Sequence, residues 1–167
     1  MEDEVKKWIT KIEEIKKGKV DLSQDEDLSI ALMNLISLEE HLYFTAVKTD
    51  NQSYLEMLNS IRSLRKNLLG KIVKNPEGEE WCISKHLLAA SMRLIEVGTK
   101  ELSKENLKEA NAYFKSAFSL YSLFFAINLK MVDSKRLENN IDNPEDGAGI
   151  TGKFSSIMKK IIDCCKE

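Results

Sequence analysis

The chain has 167 residues, with 25 Lys and Arg against 27 Asp and Glu, and a formal net charge of −2. This balance lacks the basic excess of a nucleic-acid-binding surface, and no apolar run approaches the ~20 residues that span a bilayer. We therefore expect neither a nucleic-acid partner nor a membrane partner. The charged start MEDEVKKW is unlike a signal peptide, and three cysteines form no disulfide framework, so we expect a cytoplasmic protein.

Apolar residues recur at spacings of three and four along the chain, which predicts an all-α fold. The pattern favours a single-domain antiparallel bundle of about six helices, over residues 2–17, 24–48, 54–74, 79–101, 104–132 and 153–166. Residues 1–132 are predicted to form the bundle core and 133–152 a flexible loop. The remaining residues, 153–167, are predicted to form a C-terminal amphipathic helix that packs on the bundle or on a partner.

Two sequence signatures mark the starts of the second and third predicted helices. Ser23 with Glu26, and Ser53 with Glu56, fit the capping box, in which a serine hydroxyl and a glutamate satisfy the first free amides. Ser103 is predicted to cap the fifth helix.

The second and third predicted helices each carry one charge in the middle of the apolar face. At about 100° per residue, Glu39 lies among the apolar residues of the second helix, and Arg65 among those of the third. The first set is Leu28, Leu32, Leu35, Leu42, Tyr43 and Ala46; the second is Tyr54, Met57, Leu58, Ile61, Leu64, Leu68, Leu69 and Ile72. Because a lone buried charge is costly, we expect Glu39 and Arg65 to pair inside the bundle and to fix the helix register.

Small residues occupy the centres of the apolar faces of the fourth and fifth helices. Ser84, Ser91 and Gly98 are spaced seven apart on one, and Ala110 and Ala117 are spaced seven apart on the other. Small side chains let two helix axes approach closely. The connection between these helices is short, so they are predicted to form a tightly packed antiparallel hairpin.

The same hairpin carries a family resemblance. Gly98, Ala110, Phe114 and Ala117 match the Gly, Ala, Phe and Ala of a tetratricopeptide repeat at the same offsets, so residues 91–122 resemble one such hairpin. Leu94, Glu101 and Ser122 stand where the repeat usually has Trp, Tyr and Pro. No second copy is found, and no family is recognised over the whole chain. The resemblance implies peptide or partner binding rather than catalysis.

A polar stripe runs along the fourth helix. It contains Glu79, Cys82, His86 and Arg93. Cys82 and His86 are four residues apart, a spacing that suits two metal ligands or a thiol–imidazole dyad. The alternative is a solvated flank of a mostly buried helix, which we favour because no third partner is evident.

Residues 147–153, Gly-Ala-Gly-Ile-Thr-Gly-Lys, fit the spacing of a phosphate-binding loop. That motif requires a preceding apolar strand and a hydroxyl directly after the lysine, whereas Phe154 follows Lys153 here. We therefore interpret the segment as a glycine-rich entry to the last helix.

No motif specifies a reaction, and we expect no cofactor and no bound metal. The favoured function is that of a small, non-enzymatic helical protein-interaction module, which binds a protein partner or self-associates as a dimer. The alternative is a helical-bundle protein that binds a metal or a small ligand through its interior polar residues.

Overall fold

The computed structural model describes residues 22–132 together with Thr10, Glu13 and Glu14, which are helical. The described part of the chain forms four long α-helices and contains no strand. They are α1 (Ser23–Thr49), α2 (Ser53–Ile72), α3 (Glu80–Ser103) and α4 (Leu107–Asn128). The predicted all-α class is therefore confirmed for these residues.

The predicted number of about six helices is not reproduced, since residues 22–132 hold four. These four correspond to the second to fifth predicted helices. The predicted helix over 2–17 lies outside the described residues apart from the three named above, and so do the loop 133–152, the motif at 147–153 and the helix over 153–166.

The predicted capping boxes are wrong, although α1 and α2 begin near the predicted positions. The N-cap residues are Leu22 and Gln52, and neither helix has a side-chain cap hydrogen bond. Ser23 and Ser53 lie one position later, inside the first turn, where a hydroxyl cannot play the N-cap role. The Ser53 hydroxyl instead donates to Oδ1 of Asn51.

Two residues with left-handed backbone set the ends of α3 and α4, namely Glu105 (φ 61°) and Lys130 (φ 54°). After each of them, the next amide donates to a carbonyl five residues earlier, which is the hydrogen bond of a Schellman motif. As a result α4 covers Leu107–Asn128 rather than the predicted 104–132. Ser103, predicted to cap α4, is the last residue of α3.

The four helices form two hairpins, α1 with α2 and α3 with α4, which contact each other mainly through α1 and α3. The core lies where the start of α1 meets the end of α2, the start of α3 and the end of α4. It contains Leu32, Met33, Leu69, Ile72, Val73, Leu88, Phe124, Phe125, Ala126, Met131 and Val132. We refer to this end of the protein as the closed end, and to the end with the α1–α2 and α3–α4 connections as the open end.

An ion pair fixes the chain at the closed end. The Glu80 carboxylate, on a residue that is only 5% exposed, accepts hydrogen bonds from the Lys130 ammonium and from the Glu77 backbone amide. These contacts join the start of α3 to the turn that follows α4. The chain therefore leaves the described region at a fixed place, beside the core.

Candidate functional site

The structure brings Glu39 and Arg65 together between α1 and α2. Nε of Arg65 donates to Oε1 of Glu39 at 2.7 Å, and Nη2 of Arg65 donates to Oε2 at 3.1 Å. This is the two-pronged geometry that makes arginine–carboxylate pairs strong and directional. Arg65 is 4% exposed as a residue, so the pair lies largely out of solvent.

A second arginine, which the sequence analysis did not place here, completes the cluster. Nε of Arg62, on a side chain that is 54% exposed, donates to Oε2 of Glu39 at 3.3 Å. Burial alone raises the pKa of the Glu39 carboxyl, but the hydrogen bonds and charges of Arg65 and Arg62 outweigh it and lower the pKa below its ordinary value. Glu39 is thus held ionised with both oxygens engaged, which suits a structural role better than acid–base or metal chemistry.

The polar stripe of the fourth predicted helix lies at the surface of α3. Glu79 is its exposed N-cap residue, and Cys82 and His86 are exposed as well. Arg93 forms ion pairs with Glu96 on the same helix and with Glu40 on α1. Among the described residues, no group of three or more His, Cys, Asp or Glu side chains is placed to hold a metal ion.

The interior of the α3–α4 hairpin is as closely packed as its small residues predict. A Cβ built on Gly98 would lie 2.6 Å from Cε1 of Phe114, a distance that real Cβ atoms essentially never show. The buried Ser91 hydroxyl donates to the Ala117 carbonyl at 2.9 Å. The two helices therefore approach within reach of a side-chain to backbone hydrogen bond.

The hydrogen bonds of other interior hydroxyls were not predicted from the sequence. The hydroxyls of Ser29 on α1 and Tyr121 on α4 are 2.6 Å apart, and burial raises the pKa of the Tyr121 phenol. Ser84 accepts a hydrogen bond from the amide of Asn128 at 3.1 Å. Each of these groups has a partner within the fold, so they join helices to one another.

The second half of α1 exposes an apolar surface, of which the sequence analysis assigned Tyr43 to the buried face. Tyr43 and Phe44 are each 50% exposed and Val47 is 66% exposed. Tyr43 and Val47 follow Glu40 by three and seven residues, so they continue the side of α1 that faces Arg93 on α3. In the first half of α1 the same side is buried, with Ser29 and Leu32 both 0% exposed. The prediction that Tyr43 is a core residue is wrong, because α3 and α4 do not follow α1 along its whole length.

The facing hairpin exposes apolar residues at the same end. On α3, Ile95 and Leu102 follow the buried Leu88 by seven and fourteen residues, and they are 40% and 46% exposed. On α4, Leu107 precedes the buried Phe125 by five helical turns and is 61% exposed. Together we call the following six residues the open apolar face: Tyr43, Phe44, Val47, Ile95, Leu102 and Leu107.

Apolar side chains are also exposed on α2, where Met57 is 53% and Leu64 is 46% exposed. Both were predicted to be buried with Arg65, and that prediction is wrong. A separate groove of about 600 Å³ lies at the closed end, between the start of α1 and the end of α2, and is lined in part by Asp25, Leu28 and Lys74. Burial raises the pKa of the Asp25 carboxyl, and the charge of Lys74 opposes that shift.

No helix within residues 22–132 is both long and apolar enough to cross a membrane. No protein family, curated protein or solved structure was found that matches this chain.

Proposed function

We propose that the protein is a helical protein-interaction module, and that its open apolar face binds an amphipathic helix of a protein partner. The observation that supports this most directly is the 66% exposure of Val47. The same side of α1 is fully buried in the first half of the helix, at Ser29 and Leu32. Clusters of large exposed apolar side chains on a soluble domain mark interaction surfaces more often than scattered single ones do.

The closed end indicates which shape of partner the open apolar face accepts. There, the first half of α1 packs on the α3–α4 hairpin and buries Leu32 and Leu88 completely. Beyond the Glu40–Arg93 ion pair, Tyr43 and Val47 continue the side of Ser29 on α1, and Ile95 and Leu102 continue the side of Leu88 on α3, but all four are exposed. A helix with apolar residues at three- and four-residue spacing extends the same packing into the open end, as in other helix-in-groove complexes.

The resemblance of residues 91–122 to a tetratricopeptide-type hairpin also favours peptide or partner binding. The alternative function, binding of a metal or small ligand by interior polar residues, has less support. Glu39 already accepts hydrogen bonds from two arginines, and the interior hydroxyls of Ser29 and Ser84 already have partners.

The test compares the wild type with Val47→Asp and Ile95→Asp in affinity capture from cells of the source organism. Met57→Asp is the matched control, because Met57 is equally apolar and 53% exposed but lies outside the open apolar face. A captured protein is then purified and titrated calorimetrically against the same variants. We expect each face variant to raise Kd about tenfold or more, the effect of losing ~1.4 kcal/mol of interface energy, and Met57→Asp to leave Kd unchanged.

Hydrogen exchange on the purified complex then locates the contact. Protection of α1 after Glu40 and of α3 after Arg93 is the expected result. The proposal fails if every captured protein binds Val47→Asp and Met57→Asp equally well.

A further inference from the structure

We propose that residues 153–166 of this same chain occupy the open apolar face and that a partner must displace them to bind. This inference concerns regulation of the surface described above and rests on the proposed function. The segment lies outside the described residues; three features favour it as the occupant, namely the place where the described chain ends, the length that follows and the sequence of the segment.

The chain between α4 and the segment is long enough to extend to the open end. The described chain ends at the closed end, where Met131 and Val132 are part of the core. The open end is one α4 length away, and the 22 residues of α4 rise about 33 Å. Residues 133–152 span up to about 66 Å when extended, so they can carry the segment to the open end.

The N-terminal segment has a much shorter reach. A helix over 2–17 would be about 24 Å long, and residues 18–21, which span at most about 13 Å, would connect it to α1 at the closed end. Val47 lies about 36 Å along α1 from Ser23 at 1.5 Å per residue. A helix that folds back along α1 therefore brings at most its first turns to Tyr43 and Val47.

The apolar stripe of the segment is long enough to cover the open apolar face. The apolar residues of the segment are Phe154, Ile157, Met158, Ile161 and Cys165, at the spacing of one helical stripe. This stripe covers about 16 Å of helix, and the open apolar face covers about 10 Å of α3 between Ile95 and Leu102. Ser156 and Lys160 fall on other sides of the predicted helix.

The segment needs a surface to pack on in order to be stable as a helix. A helix of about 14 residues is marginal in water by itself and needs a surface on which to bury its apolar stripe. The open apolar face is such a surface within the same molecule. Because the two are joined by a chain of fixed length, docking is intramolecular and has a high effective concentration. A partner must therefore compete with the segment for the same side chains.

The experiment measures accessibility of position 47 in the full-length protein. In a Cys82→Ser, Cys164→Ala, Cys165→Ala background, Val47→Cys introduces one thiol, and its rate of reaction with a maleimide is recorded. Ile157→Asp with Ile161→Asp should release the segment and raise this rate about tenfold, which corresponds to a face about 90% covered in the parent. Ser156→Asp is the matched control and should leave the rate unchanged.

A second reporter separates release from unfolding. Met57→Cys in the same background places a thiol outside the open apolar face, and its rate should be the same with and without the segment substitutions. Far-ultraviolet circular dichroism and the Tm of each variant verify that the fold is retained.

The inference is overturned if the rate at position 47 does not respond to the Ile157 and Ile161 substitutions, or responds equally to Ser156→Asp. It is also overturned if Val5→Asp with Ile9→Asp exposes position 47 instead, which would assign the face to the N-terminal segment. Protection that appears only in a dimer, by light scattering over a range of concentrations, would assign it to a second copy.

Partner titrations distinguish this inference from the proposed function. If the segment protects position 47 but no protein binds in a Val47-dependent way, the inference stands and the proposed function fails. If a partner binds the face with the same Kd whether or not Ile157 and Ile161 are substituted, the proposed function stands and the inference fails. If both hold, the segment variant should bind the partner about tenfold more tightly.

Discussion

Removing Glu39 should destabilise the protein more than removing its main partner. In Glu39→Gln, two guanidinium groups lose their shared carboxylate, and Arg65 is only 4% exposed. A buried ion that loses its partner costs about 3–5 kcal/mol. In Arg65→Met, by contrast, Glu39 keeps the Arg62 hydrogen bond, so we expect a loss of about 1–3 kcal/mol.

The double variant Glu39→Met/Arg65→Met removes both buried charges and leaves apolar side chains of similar length. We expect its free energy of unfolding to lie within about 1–2 kcal/mol of the wild type, because the desolvation cost of both ions disappears. Arg62→Ala is the control for a surface charge and should cost less than about 1 kcal/mol, since its side chain is 54% exposed.

The measurement is urea unfolding followed by circular dichroism, with the free energy obtained from the midpoint and slope of each curve. At a slope of about 2 kcal/mol per molar urea, a loss of about 3 kcal/mol lowers the midpoint by about 1.5 M. If the two single losses are equal and simply add in the double variant, the residues are energetically independent, which would contradict a coupled buried ion pair.

Two further predictions concern packing and pH. Gly98→Ala should lower the free energy of unfolding by about 1–3 kcal/mol, because its new methyl group overlaps an aromatic ring, whereas Gly70→Ala, with 3.9 Å of clearance, should raise it by up to about 1 kcal/mol. Equal urea midpoints for the two variants would contradict the close approach of α3 and α4. Because the folded-state pKa of Glu39 is lowered, its stabilising contribution should be complete above about pH 4.3 and be lost as the pH falls through the folded-state value. The midpoint difference between wild type and Glu39→Gln should therefore shrink on acidification; a constant difference would show that the Glu39 charge does not stabilise the fold.

The sequence was sufficient to place the Glu39–Arg65 pair, because the helical period fixes the side of the helix on which each residue lies. Glu39 and Arg65 each stand in the middle of an apolar face, and a buried charge needs an opposite one nearby. The same reasoning located Gly98 and Ser91 at the close contact between α3 and α4. In both cases the evidence is local periodicity plus one steric or electrostatic requirement.

Periodicity does not reveal how far a neighbouring helix extends. Tyr43 lies in the same apolar set as the fully buried Leu32. Because α1 extends beyond its contact with the other hairpin, Tyr43 is 50% exposed. Met57 belongs to the apolar set of α2 in the same way and is 53% exposed. The open apolar face is thus a property of tertiary arrangement, and no single segment of sequence encodes it.

Helix ends were predicted less well than helix faces because competing contacts of similar energy decide them. Ser23 and Glu26 have the right chemistry for a capping box, yet Leu22 is the N-cap residue and is 5% exposed. A cap is worth about 1 kcal/mol, and burial of a leucine is worth more. One apolar contact is therefore enough to move the start of a helix by one residue.

The pairing of consecutive helices has a consequence for how the chain acquires its structure. Contacts within each hairpin join residues close in sequence: Glu39 to Arg65, and Ser91 to Ala117, are both separations of 26 residues. Contacts between hairpins are more distant, 53 residues for Glu40 with Arg93 and 92 for Ser29 with Tyr121. Since short loops close first, each hairpin should form early and rapidly, and the docking of one hairpin on the other should be the late, slow step. Native-state hydrogen exchange would then find two cooperative units whose boundary lies at residues 73–79.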